Sequence, residues 1–146
     1  MGGTDATIAW NNLVMHSDPR SHDVGDERRS AAIAALYMAE ANNGGLNAFL
    51  MNNPGMGTQE VLASLDSVGA EVAADQFRDL IEALGGHLPP ATEDERWDEL
   101  EARWTDALDE SDFLTSEADK SLMAALQAHV SRHMDYYLAL RGHNES

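Results

Sequence analysis

One stretch of the chain, EANNGGLNAFLMNNPGMG from Glu40 to Gly57, constrains the fold more than any other. Residues 42–45 are two asparagines followed by two glycines, which tolerate the positive backbone φ that ends a helix. Residues 52–55, Asn-Asn-Pro-Gly, form a second cluster of turn residues. Since no known catalytic motif lies in this stretch, we predict that it is a structural corner between helices.

A short apolar segment lies between these two turn clusters. Leu46 to Met51 are long enough for about one and a half helical turns, and the spacing predicts that Leu46, Phe49 and Leu50 face inward. After the second cluster, Thr58 has the side chain of an N-cap and is predicted to begin the next helix.

The rest of the chain shows apolar residues three and four positions apart, which indicates helices, and no useful β alternation. We predict an all-α fold, a single compact domain of about six to eight helices over residues 1–146, with flexible ends at 1–3 and 142–146. Residues 16–25 are expected to form a loop. The predicted helices cover 4–15, 26–41, 58–68, 70–84, 92–112 and 116–140.

Each predicted helix has an apolar face that we expect to be buried. In the 92–112 helix, Thr92 is the expected N-cap, and one stripe contains Trp97, Leu100, Trp104 and Leu108. The corresponding faces of the other helices are Ile8, Leu13 and Val14 with Trp10 beside them; Ile33, Leu36, Tyr37 and Glu40 to Ala41; Val61, Leu62, Leu65 and Val68; Val72, Ala73, Phe77, Leu80, Ile81 and Leu84; and Leu122, Leu126, Val130, His133, Tyr137 and Leu140.

Charge is the most unusual property of the composition. The chain has 26 Asp and Glu against 9 Lys and Arg, for a formal net charge of -17. Such a field repels nucleic acid and anionic membranes and attracts basic partners. We therefore expect no direct binding of nucleic acid or membrane. Increased solubility or adaptation to salt explains the same composition.

More than half of this net charge lies in residues 93–119, where twelve carboxylates accompany Arg96 and Arg103. If this segment forms a continuous helix, the carboxylates recur about every 3 Å along the helix axis. This spacing is close to the roughly 3.4 Å between phosphates of one DNA strand. An ordinary solvated helix face has a similar density. The predicted partner-binding residues are Asp94, Glu95, Asp98, Glu99, Glu101, Asp106, Asp109 and Glu110, extended by the stripe Glu71, Asp75, Asp79 and Glu82.

Two histidines have a spacing that metal sites use. His129 and His133 are four residues apart, so one helix can present both imidazoles to a zinc ion. No glutamate follows His129, and the sequence offers no evident third ligand. We therefore interpret His133 as a partly buried core histidine and predict no metal, no cofactor and no catalytic residues. His22, Asp23 and Asp26 resemble a metal cluster only loosely.

The corner resembles the signature E-x-x-N-G-G-F-x-Q-F-x-x-N-x-x-G of the DNA mimic protein nineteen-like family, bacterial all-α domains mostly of unknown function. The resemblance covers roughly residues 28–138 and extends to Val68-Gly69-Ala70, to Leu108, Asp109, Asp112 and Phe113, and to the last helix. The sequence departs from the signature at Leu46 and Ala48, where the family more often has Phe and Gln. The matching positions in the corner are Glu40, Asn43, Gly44, Gly45, Leu46, Phe49, Asn53 and Gly55.

The resemblance implies an acidic protein, a homodimer, that presents carboxylates in place of DNA phosphates. Such a protein occupies the DNA-binding face of a basic regulator of the helix-turn-helix type. We therefore expect a non-enzymatic binding protein with a basic DNA-binding partner. The alternative is a structural or assembly module whose acidity serves only solubility. The absence of cysteine, of a signal peptide and of a long apolar run favours the cytoplasm.

Overall fold

The computed structural model describes residues 2–23, 25–52, 57–86 and 93–140, and within these ranges it contains eight α-helices, one 3-10 turn and no strand. The prediction of an all-α fold is confirmed. The helices are α1 (Gly2–His16), α2 (Glu27–Asn52), α3 (Thr58–Val68), α4 (Glu71–Ala83), α5 (Glu93–Arg103), α6 (Asp106–Glu110), α7 (Ser116–Arg132) and α8 (Met134–Ala139). The 3-10 turn is Pro19–Ser21, inside the predicted loop.

Helix α2 lies at the centre of the fold and packs against α1, α3, α5 and α7. Its first half is rich in buried alanine, and these small side chains allow helices to approach it from several sides. Helix α7 is the second central element, because it also contacts α1, α3, α4 and α8. Helix α8 returns to pack on α1 and closes the bundle.

The predicted corner is a kink within α2. Gly45 has φ 91° and ψ 173°, a conformation open essentially to glycine, and the helix resumes on its far side. The inward direction of Leu46, Phe49 and Leu50 is confirmed, since all three are buried. Asn53 and Gly55, which complete the resemblance, lie outside the described residues, as do the chain ends at Met1 and 142–146.

Asp112 locks this kink from a distant part of the chain. Its Oδ1 accepts a hydrogen bond of 2.7 Å from the backbone N–H of Asn47, in the first turn after the kink. A Cβ atom on Gly45 would lie within 2.8 Å of three atoms of Asp112. Asp112 therefore acts as a cap supplied from 65 residues away. Two segments of the family resemblance, the corner and the segment from Leu108 to Phe113, contact each other here.

The segment after the kink anchors an aromatic cluster in the core. The ring of Phe49 meets Tyr37 at 4.9 Å and Phe77 at 6.4 Å, and Tyr37 meets Phe77 at 5.4 Å, all edge to face. Each such pair contributes about 1 kcal/mol beyond burial of its area. Burial also raises the pKa of Tyr37. The corner thus joins α2 to α4 through Phe49.

Other parts of the corner hold the kink by local contacts. Glu40 accepts a hydrogen bond of 2.8 Å from Asn52 across the bend. A Cβ on Gly44 would come within 2.7 Å of the Ala48 side chain, whereas Asn43 is exposed. The glycine pair is therefore required by space as well as by backbone conformation.

Helix α3 has the predicted bounds, and Gly69 ends it in the left-handed conformation. The N-cap prediction is wrong, because Gly57 occupies that position without a side-chain cap and Thr58 is the first helical residue. The buried hydroxyl-bearing side chain of Thr58 faces the bundle. Val72 is also wrong as a core residue, since it is exposed in the first turn of α4.

Two further helices differ from the sequence prediction. In α1, Ala9 and Leu13 form the buried side, whereas Ile8 and Val14 are exposed. The helix face that contacts the bundle passes through Ala9 and Leu13, and Ile8 and Val14 lie beside it, each one residue away along the chain. The last predicted helix is broken at His133, whose φ of -125° separates α7 from α8.

Candidate partner-binding surface

Helix α5 is fixed to the bundle through an arginine that lies outside its predicted apolar stripe. Arg96 is 1% exposed, and its Nη1 donates to the carbonyl of Leu50 at 3.4 Å. That carbonyl belongs to the last turn of α2, where carbonyl groups lack helical partners and the helix dipole favours a cation. Burial lowers the pKa of Arg96.

This contact explains why the predicted apolar stripe of α5 is wrong at its first position. Trp97 is 55% exposed, whereas Leu100 is buried. The inner face of α5 is formed by Arg96, Leu100 and Arg103, at spacings of four and three residues. A helix that buries Arg96 turns its neighbour Trp97, about 100° away around the axis, toward solvent.

Arg103 uses the same type of contact on a second helix. Its Nη1 donates to the carbonyl of Leu84, the C-cap residue of α4, at 3.0 Å. Its Nη2 also forms an ion pair of 2.7 Å with Glu99. The two arginines of α5 therefore point toward the C-termini of α2 and α4.

The inward direction of these arginines leaves the outer side of α5 uniformly acidic. Asp94, Glu95, Asp98 and Glu101 are exposed, and Glu99 is half-buried beside Arg103. Glu101 accepts a hydrogen bond of 3.2 Å from the indole N–H of Trp97. Among the described side chains of α4, α5 and α6, every fully exposed charged group is a carboxylate.

The predicted 92–112 helix is wrong as one continuous element. Its first residue, Thr92, lies outside the described residues, and the helix ends at Arg103. Thr105 then caps a new short helix by accepting from the N–H of Leu108 at 3.2 Å. Trp104 and Leu108 are partly buried around this break. Asp106, Asp109 and Glu110 are exposed on α6, so the carboxylates form two groups rather than one straight row.

The acidic stripe of α4 is exposed as well. Glu71, Asp75, Asp79 and Glu82 all face solvent, and Asp75 forms an ion pair of 2.8 Å with Arg78. Residues 76 and 84 of the α4 region contact this part of the chain at two places. Arg103, the last residue of α5, donates to Leu84, and the Gln76 side chain bonds to Phe113 and Thr115 beyond α6.

We call the twelve predicted partner-binding carboxylates the acidic surface; they are the carboxylates of α4, α5 and α6 whose side chains the structure describes. Eleven of them are exposed and one is half-buried. Between Asp94 and Glu101, five carboxylates occupy about 10 Å of helix axis, a density higher than that of the phosphates along one DNA strand. Exposed carboxylates accept hydrogen bonds only, so this surface suits a partner rich in arginine and lysine.

A separate group of titratable side chains lies at the N-terminus of α2 and the C-terminus of α7. His133 is half-buried, as the sequence predicts, and His129 beside it is completely buried. Glu27, which the sequence analysis did not connect with them, lies against both rings. These three side chains are the described residues whose donor atoms could hold a metal ion.

Within the part of the chain that the structure describes, no helix has both the length and the apolar character that crossing a membrane requires.

Comparison with known proteins identifies one family. The family model described as DMP19-like protein matches residues 24–140, which include the corner, the acidic surface and both histidines. Searches of curated proteins and of solved structures gave no match.

Proposed function

The chain belongs to the DMP19-like protein family, and we propose that it is a non-enzymatic binding protein whose acidic surface occupies the DNA-binding face of a basic protein. The partner class is a helix-turn-helix-type regulator, as the resemblance of the corner to the DNA mimic protein nineteen-like family implies. In this proposal the carboxylates take the positions that DNA phosphates otherwise fill.

The observation that carries the proposal is the inward direction of Arg96 and Arg103. These two cations are the only ones between residues 93 and 119. Both donate to carbonyls at helix C-termini, Arg96 from a buried side chain and Arg103 from a half-buried one. An acidic segment whose cations are withdrawn from its surface presents a nearly unbroken negative potential, which steers basic partners.

The dimer is a separate part of the proposal. We propose a homodimer in solution, on the basis of the family resemblance. Light scattering coupled to size-exclusion chromatography measures the mass directly, and the expected value is twice the 15.9 kDa of one chain.

A second candidate function is an assembly module that a partner recognises through apolar groups. It is favoured by the exposure of two large aromatic side chains, Trp97 and Phe113, close to the carboxylates. Binding of this kind depends on Trp97 and changes little with salt, since apolar contacts are not screened.

Charge-neutralised variants test the leading proposal. The triple variant Asp98→Asn, Glu101→Gln, Asp109→Asn removes three charges from the acidic surface and spares its ion-paired members. The matched control Asp5→Asn, Asp23→Asn, Asp135→Asn removes three exposed carboxylates elsewhere. Both variants have the same net charge, so any difference between them reports on location.

The measurement is pull-down of basic proteins from a lysate of the source organism at low salt and at about 0.5 M salt, where the Debye length is roughly 4 Å. We expect capture by the wild type and the control at low salt, and loss of capture in the surface variant and at high salt. Capture that survives both changes but is lost in Trp97→Ala would support the assembly module instead.

A further inference from the structure

Three side chains from two distant segments converge beside the bundle, away from α5 and α6. Glu27 is the first residue of α2, His129 lies in the last turn of α7, and His133 follows the end of that helix. The Oε1 of Glu27 is 3.4 Å from Nδ1 of His129, and its Oε2 is 3.2 Å from Nε2 of His133. The two imidazole centroids are 4.5 Å apart.

These distances match the spacing of ligand atoms around a small metal ion. Zinc binds histidine nitrogen and carboxylate oxygen at about 2.0–2.2 Å, so that two ligands of a tetrahedron lie roughly 3.3–3.5 Å apart. One donor atom from each of the three residues lies within 4.8 Å of the other two.

The surroundings of the cluster also resemble those of metal ligands. The remaining ring nitrogen of His129, Nε2, is 2.7 Å from the hydroxyl of the buried Tyr137. In a metal-bound form, Nε2–H would donate to that hydroxyl, and Nδ1, without a proton, would present its lone pair to the ion. Metal-bound histidines are commonly oriented by such a bond from the second nitrogen.

The charge state of the cluster is favourable as well. Burial is the largest influence on the pKa of His129 and lowers it. Arg132 donates to Oε1 of Glu27 at 2.8 Å. This hydrogen bond, together with the contacts of Glu27 to the two histidines, lowers the pKa of Glu27 to about 2. The Arg132 side chain is more than half exposed, so its guanidinium can move into solvent when a cation binds.

We propose that Glu27, His129 and His133 form a binding site for a divalent transition metal ion of the zinc type, with a fourth position open to water. The donor set of two imidazoles and one carboxylate is typical of such ions. The bound ion would join the start of α2 to the junction of α7 and α8, segments more than 100 residues apart in the sequence.

Metal binding is measured on untagged protein, because a polyhistidine tag binds zinc itself. The protein is stripped with a chelator, and zinc is titrated against a chromophoric chelator in millimolar Mg²⁺, which occupies weak carboxylate sites. We expect one zinc per chain. With free zinc about 100-fold above its dissociation constant, the melting temperature should rise by roughly 5 to 10 °C.

His133→Gln removes one ligand and retains a side-chain donor toward Glu27. It should weaken zinc binding by about 100-fold or more, whereas the matched variant His16→Gln, at the end of α1, should bind zinc like the wild type. Tyr137→Phe removes the bond that orients His129 and should weaken binding by about 10-fold to 100-fold. Equal zinc affinity in His133→Gln and His16→Gln would overturn the proposal.

Cobalt gives a test on the unmodified chain, independent of how any variant folds. Co²⁺ in a four-coordinate site of nitrogen and oxygen ligands absorbs visible light strongly, whereas hexahydrated Co²⁺ absorbs weakly. One equivalent of Co²⁺ should produce the strong visible bands, and zinc should remove them. A wild-type protein that shows only the weak spectrum of the aqueous ion would contradict the site.

Discussion

Gly45 is the residue on which the kink of α2 depends, for two independent physical reasons. Its φ of 91° is costly for a residue with a side chain, and Asp112 occupies the space that a Cβ atom would need. Gly69 has a similar φ of 90°, but no atom lies within 4 Å of the position of its missing Cβ. Substitution of Gly69 therefore introduces backbone strain alone, whereas substitution of Gly45 introduces strain and steric overlap together.

We predict that Gly45→Ala lowers the free energy of unfolding by about 3 kcal/mol, because strain and overlap add. Gly69→Ala should lose about 1 kcal/mol through strain alone. Urea unfolding followed by circular dichroism measures both values. Equal losses would mean that Asp112 moves away without cost and does not lock the kink.

At the level of elements, α5 shows what a helical wheel can and cannot predict. The wheel correctly placed Leu100 inside and the carboxylates outside. It ranked Trp97 above Arg96 as a core residue, because hydropathy takes no account of a buried guanidinium that meets unpaired carbonyls of another helix. Only the three-dimensional position of the α2 C-terminus shows that Arg96 has such carbonyls within reach.

Arg96→Ala should therefore be a strongly destabilising variant. It removes a buried side chain and a charged donor at the C-terminus of α2, and we expect a loss of about 2 to 4 kcal/mol in the free energy of unfolding. The control is Arg78→Ala, whose side chain is 43% exposed in its ion pairs and should lose at most about 1 kcal/mol. Similar losses in the two variants, measured by urea unfolding, would refute this role of Arg96.

The helix boundaries show the same division between local and distant information. The C-terminal end of α3 was predicted correctly because Gly69 is a local stop signal. The break before α6 has a local signal, because Thr105 is an N-cap residue that precedes Asp106 and accepts a hydrogen bond from the N–H of Leu108. The apolar spacing of Trp104 and Leu108 continues across this break and does not indicate it. The break at His133 has no glycine or proline to predict it.

The two candidate sites also differ in how much of each the sequence predicts. Exposure of the acidic surface followed from helical spacing and charge. In contrast, Glu27 could not be connected with His129 and His133, because more than 100 residues separate them and only the packing of α2 against α7 brings them together. The four-residue spacing of His129 and His133 supplied two of the three donors.

On the scale of the whole molecule, the net charge of -17 is unevenly distributed. The acidic surface occupies α4, α5 and α6, and the cations of α5 face the interior. Where the start of α2 meets the end of α7, Arg132, Glu27 and two histidines form a compact group of mixed charge. The family membership and this distribution together support the proposed role as a mimic of the DNA backbone.

Competition with DNA tests that role most directly. A basic helix-turn-helix regulator captured from the source organism is bound to fluorescently labelled duplex DNA, and the anisotropy is followed as this protein is added. We predict that the wild type and the Asp5, Asp23, Asp135 control release the DNA, and that the Asp98, Glu101, Asp109 variant requires at least about tenfold more protein. DNA that stays bound at saturating wild-type protein, or equal release by both triple variants, would contradict the account.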